Sequence, residues 1–151
     1  SKTYKTYDVV DNLTITLNDN YDFDITKDTN ATLLYFFNDT ADLDYDKLNS
    51  YANEKLNIIL LASTDLGLND LNEISNISYG IDNDNKLLKK FNKDLSKPYS
   101  VFLDFNDKIL ISKTGMITDT EYFEIINYTL LGLTVGNEVG NICINKEKIY
   151  Y

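Results

Sequence analysis

Two short, uninterrupted apolar runs limit what this chain can become. Thr32-Leu33-Leu34-Tyr35-Phe36-Phe37 and Ile58-Ile59-Leu60-Leu61-Ala62 are each bounded by polar residues. A strand with one wet face alternates apolar and polar side chains. A continuous apolar run belongs to a strand covered on both faces, as in a parallel sheet. Between the runs, Asp42–Leu56 reads as a helix with Leu48, Tyr51, Ala52 and Leu56 on one face. Strand, helix, strand is a βαβ unit, so the two strands are expected to lie parallel at the sheet centre with a right-handed crossover.

The remaining periodicities extend this frame. Leu13–Leu17 alternates as a short strand does, Leu68–Ile74 reads as a short helix, a strand is expected near Ile77–Ile81, and Lys86–Phe91 fits a helical turn or two. Tyr99–Leu103 and Ile109–Ser112 flank Phe105-Asn106-Asp107, which predicts an antiparallel hairpin. Thr118-Asp119-Thr120-Glu121 has the capping-box pattern, and Tyr122, Ile125, Ile126, Leu130 and Leu133 form an apolar stripe behind it. Gly136 and Gly140 then interrupt the chain before a strand-like piece, Asn141–Ile149. No repeat, low-complexity linker or boundary divides the sequence. The expectation is one α/β domain over residues 1–151, a central mixed sheet with helices on both faces.

Composition removes several chemistries. The chain of 151 residues has a formal charge of −10 and contains no His, Trp, Arg or Gln. An acidic surface repels phosphate backbones, and without Arg there is no bidentate base reader, which argues against nucleic-acid binding. Cys143 is the single cysteine, so no intramolecular disulfide and no cysteine zinc site can form. Without His, neither a Ser-His-Asp nor a Cys-His nucleophile is possible. No metal site and no cofactor is expected. No apolar run reaches the ~20 residues that span a bilayer. The first residue is Ser1 rather than Met, which reads as a trimmed chain and leaves a removed leader or anchor open.

Individual motifs mostly have structural readings. Asp42, Asp44 and Asp46 are read as favourable charge at a helix start rather than a metal or acid–base cluster. Asp82-Asn83-Asp84-Asn85 opens like a calcium loop but lacks the sixth-position Gly and the terminal Glu, so a solvated turn is expected. Cys143 is read as a small buried apolar residue. Asn-x-Ser/Thr sequons at Asn12, Asn30, Asn38, Asn76 and Asn127 are put down to an Asn-rich composition, and the many tyrosines to coding bias.

Three segments resemble the thioredoxin superfamily, in particular its TlpA/ResA-like branch of thiol-disulfide oxidoreductases. Leu33–Asp44 resembles the strand and turn that lead into the Trp-Cys-x-x-Cys motif. Lys97-Pro98-Tyr99-Ser100-Val101-Phe102-Leu103-Asp104 resembles the segment that carries the family's cis proline. Lys108-Ile109-Leu110 through Thr114-Gly115, with the helix start at Thr118–Glu121, resembles the last hairpin and C-terminal helix. The likeness runs from about residue 13 to 133, leaving 134–151 as a C-terminal extension. Matched by position, the family's Trp falls on Thr40 and its cysteines on Ala41 and Asp44, with Asp42 and Leu43 between. Neither Ala41 nor Asp44 can perform thiol exchange.

The resemblance therefore implies a thioredoxin-like fold without redox catalysis. It points to a module that binds protein or peptide through a groove formed by Thr40, Ala41, Asp42, Leu43, Asp44, Lys97, Pro98 and Tyr99, with no catalytic residue among them. In that groove Leu43 is expected to give a small apolar contact. The alternatives are a thiol oxidoreductase or peroxiredoxin-like protein working through Cys143 or partner thiols, and a purely structural domain of a larger envelope protein. By the same likeness the protein is expected outside the cytoplasm or at the cell envelope.

Overall fold

The computed structural model describes residues 2–17, 20–68 and 77–129. The chain order is β1 (Thr14–Thr16), β2 (Asp22–Asp24), β3 (Ala31–Phe36), α1 (Tyr45–Tyr51), β4 (Leu56–Ala62), β5 (Ile77–Ile81), β6 (Tyr99–Leu103), β7 (Ile109–Thr114) and α2 (Asp119–Thr129), with short 3₁₀ turns between. The apolar runs become β3 and β4, which pair in parallel from Ala31 opposite Leu56 to Phe36 opposite Leu61. β5 is parallel to β4, while β6 is antiparallel to β3 and to β7. The five-stranded order β5-β4-β3-β6-β7 is a mixed sheet with β3 at its centre.

The pleat of β3 divides the core into two layers. Leu34 and Phe36 point to one face with Ile59, Leu61, Val101 and Leu103, covered by Leu87, Leu88 and Phe91 from 3₁₀ turns after β5. Leu33 and Tyr35 take the other face, where the Tyr35 hydroxyl donates to the Asp42 carbonyl ahead of α1 at 2.6 Å. Helical turns thus flank the sheet on both sides. Each fully buried Leu, Ile or Phe in these layers contributes ~1.5–3 kcal/mol by area.

α1 is shorter than the predicted 42–56. A 3₁₀ turn, Thr40–Asp42, precedes it, and Asp44 caps its first turn by accepting from the Lys47 N–H at 3.0 Å. At the other end Ala52 is extended (φ −58°, ψ 132°), and the Asn53 side chain accepts from the Lys55 N–H at 2.9 Å. That Asx turn swings the chain into β4. Leu56 has the helical spacing but opens the strand.

Residues 4–17 cross one face of the sheet as a belt. At one end the Tyr7 N–H donates to the Ile109 carbonyl and Val9 bridges Lys108. At the other end Leu17 bridges Gly80 on β5. Between them Val10, Leu13 and Ile15 are buried in the core layer, and Thr14 and Thr16 face outward, as the alternation predicts. β1 pairs with β2, whose Asp-Phe-Asp sequence carries no strand signal. Gly80 permits the belt's close approach. A Cβ there would stand 3.0 Å from the Thr16 carbonyl oxygen and 3.2 Å from a Leu61 methyl. Gly80→Val is expected to lower stability by about 2 kcal/mol through this overpacking. Urea unfolding measures the loss.

By contacts the chain divides into two compact units, Ser1–Thr118 and Asp119–Tyr151. α2 opens the second, starting where the Thr118–Glu121 pattern placed a helix. The predicted 68–74 helix beyond Leu68, the stripe positions Leu130 and Leu133, the 141–149 strand and Cys143 lie outside the described residues. Among the described residues no helix is long and apolar enough to cross a membrane.

Candidate peptide-binding site

The site is built where β3 and β6 end. Their ladder stops at Phe36 opposite Tyr99. One register step further, β3 runs into Phe37-Asn38 and the start of β6 recedes into Pro98-Lys97. The 38–44 loop and the Lys97–Pro98 segment therefore leave the sheet at the same end. The Lys97–Pro98 peptide bond is cis.

Local hydrogen bonds hold the 38–44 loop. Asp39 accepts from the Ala41 N–H at 2.8 Å, and Asp42 accepts from the N–H groups of Asn38 and Asp39 at 3.0 and 3.3 Å. These form a capping box around the 3₁₀ turn. Burial, with a smaller contribution from the Asp42 charge, pushes the Tyr35 phenol up to about 12, so its hydroxyl stays a donor to the loop at neutral pH. Asp42 and Asp44 thus each serve the backbone. Among the described residues no group of three or more His, Cys, Asp or Glu is placed to hold a metal ion.

The proposed groove residues divide by accessibility. Thr40, Ala41 and Asp44 are exposed, and Asp42, Lys97 and Pro98 are half-buried. Leu43 and Tyr99 are buried, which corrects the expectation that Leu43 offers an apolar contact. Tyr99 joins the core layer, and its hydroxyl lies 2.8 Å from Ser112 Oγ. The Pro98 carbonyl accepts from the Gly115 N–H at 2.7 Å, fixing this segment to the end of β7. Among the described residues the backbone N–H and C=O of Lys97 have no hydrogen-bond partner. Burial lowers the Lys97 ammonium pKa below the ordinary lysine range, and the nearby Asp82 charge works in the opposite direction.

Asp82 is the residue that sequence reasoning misplaced. It is buried, not part of a solvated turn, and its carboxylate accepts from the N–H groups of Leu87 and Leu88 at 2.7 and 3.0 Å. Asn83 and Asp84 beside it are exposed, as the turn reading has them. Tyr35 and Asp39 also support the loop without having been singled out. Only the Asp-x-Ala spacing of an Asx turn at 39–41 marks either of them in the sequence.

The sequence matches no family model, and no curated protein matches it significantly. Solved structures do match. A thio-disulfide isomerase from Thermus thermophilus aligns with TM-score 0.64 at 9% identity, over 83% of this chain and 97% of its own. The C-terminal domain of a Bacteroides thetaiotaomicron protein described as a thiol-disulfide oxidoreductase aligns with TM-score 0.60 at 11% identity, over 85% and 97%. The exposed lipoprotein thioredoxin of Streptococcus pneumoniae aligns with TM-score 0.56 at 13% identity, over 78% and 99%. With the mixed sheet, the flanking helical turns and the 38–44 and Lys97–Pro98 segments at one end, these likenesses establish that the chain has a thioredoxin-like fold.

Proposed function

We propose that this protein is a redox-inactive thioredoxin-like module that binds an extended protein or peptide segment at the Lys97 edge of the groove. The observation that carries the reading is that the backbone N–H and C=O of Lys97, without partners among the described residues, lie at the sheet end where the loop of exposed, thiol-free Ala41 also leaves. Two free backbone groups at a strand end suit strand addition by an extended peptide. Ala41 carries only a methyl group where the resemblance places the first cysteine, and Asp44, where it places the second, is used as a helix cap. Thr40, Asp42 and Pro98 complete the accessible wall. Asp42 and Asp44 favour basic side chains in the peptide, and Lys97 favours an acidic one.

This reading takes both compact units as parts of one thioredoxin-like domain. The lipoprotein neighbour supports a place outside the cytoplasm or at the cell envelope.

The expected result is weak binding of extended, mixed-charge peptides, followed by chemical-shift changes at Ala41 and Lys97. Added salt should weaken it, since exposed charges are screened over ~10 Å at 0.1 M. Ala41→Arg should cut affinity by about tenfold, or ~1.4 kcal/mol. Unchanged affinity in that variant moves the binding site elsewhere and favours a structural domain. Insulin-disulfide reduction that disappears on Cys143→Ser makes the protein a thiol oxidoreductase instead.

A further inference from the structure

A cleft of about 380 Å³ opens on the belt side of the sheet. The belt's residues 12–16 form one wall, and the turns carrying Asn83, Lys86 and Lys90 form the other. Its floor is closed by Leu13, Ile15 and Leu61, all buried. The polar lining is Asn12, Thr14, Thr16, Asp82, Asn83, Lys86 and Lys90, all exposed except the buried Asp82. Thr16 donates to Asp22 at 2.8 Å, whereas among the described residues the side chains of Asn12, Thr14, Asn83, Lys86 and Lys90 have no hydrogen bond or ion pair within the protein.

The charge here runs against the rest of the molecule. Residues 86–97 contain Lys86, Lys89, Lys90, Lys93 and Lys97 against one acid, Asp94, in a chain of formal charge −10. Asp82, the one acid in the cleft lining, is occupied by the Leu87 and Leu88 N–H groups, and its charge acts on Lys97. Two ammonium groups at the rim select an anion. Two amides and a hydroxyl between them suit ligand hydroxyls. The volume lies at the lower end of the range for small-ligand sites, about 300–1,000 Å³.

We propose that this cleft binds a small polyhydroxylated anion, a sugar phosphate or a sugar acid, with Lys86 and Lys90 holding the anionic group and Asn12, Thr14 and Asn83 the hydroxyls. The proposal is independent of the peptide groove.

Calorimetric titration of the full chain with glucose 6-phosphate, gluconate, glucose and inorganic phosphate tests it. At least one anionic sugar should bind saturably, and whichever binds more tightly identifies the phosphate or the carboxylate as the natural group. Glucose and inorganic phosphate should each bind at least about tenfold more weakly, since each lacks half of the recognition. The double variant Lys86→Glu/Lys90→Glu should lose about tenfold or more. Lys86→Arg/Lys90→Arg keeps the charge and should stay within about threefold of the parent, as should Lys55→Glu elsewhere on the surface. Absence of saturable binding by both sugars overturns the proposal. So does equal affinity in the double Glu variant. Inorganic phosphate binding as tightly as the sugars reduces the cleft to a general anion patch and also overturns it.

Discussion

Asp82→Ala should destabilise the protein by about 3 kcal/mol, the largest effect expected of any polar substitution among the described residues. The Asp82 carboxylate accepts two backbone N–H bonds, at 2.7 and 3.0 Å, from Leu87 and Leu88, both in the core layer. Alanine leaves both donors with no acceptor in an apolar setting, and an unmet buried donor costs ~1–3 kcal/mol. Asp82→Asn keeps one good acceptor and should lose about half as much. Urea unfolding separates the two, with the midpoint falling and the slope unchanged. A loss below ~1 kcal/mol for the alanine variant would mean that water replaces the carboxylate and that the turn is not held by it.

Asp107→Asn should do the opposite at neutral pH, stabilising the protein by about 1 kcal/mol once solvent screening is allowed for. Asp107 is half-buried at the β6–β7 turn with φ +64°, a conformation Asn accepts readily. Burial, and after it the charges of Asp104, Asp24, Asp11 and Asp28, push its carboxyl up to about 6 from 3.8. Three of those neighbours have donors of their own. Asp104 accepts from the Asn106 and Lys108 N–H groups, and Asp28 from the Asn30 N–H and the Asn57 amide. Asp24 accepts from Thr26 and lies 3.7 Å from the Lys27 ammonium. The Asp107 carboxylate has no such donor among the described residues.

The native state therefore binds the Asp107 proton more tightly than the unfolded chain does. Its contribution to stability is complete below about pH 4 and is lost as the pH rises through about 6. The variant's gain over the parent should grow through that window and be complete above it, and the two should unfold alike near pH 3. A gain that persists at pH 3 would assign the effect to the turn's backbone and not to charge.

These two residues show where sequence reasoning stops. The strands β3 and β4 were legible because burial on both faces writes itself into a continuous apolar run. The β6–β7 hairpin and the start of α2 were legible because turn and cap chemistry is local. The role of Asp82 was not, because it depends on where the Leu87 and Leu88 amides are buried, a property of the packed turns and the belt. The environment of Asp107 was not, since its neighbours come from the belt, β2 and the segment after it. The length of α1 was misread because Leu56 fits a helical stripe and a buried strand equally well, and an Asx turn at Asn53 decided between them. At the site, the missing thiols at positions 41 and 44 were plain, whereas the burial of Leu43 and Tyr99 required the fold.

The belt also sets an order of events during synthesis. Val9 pairs with Lys108, made about a hundred residues later in the chain, and Leu17 pairs with Gly80. Contacts of such sequence separation are slow to close. Val10, Leu13 and Ile15 leave the ribosome before the strands they pack against, and they stay exposed until β3, β4 and the β6–β7 hairpin are available to bury them. The belt is thus made before the surface that buries it, and any chaperone that attends this protein during translation has a target there.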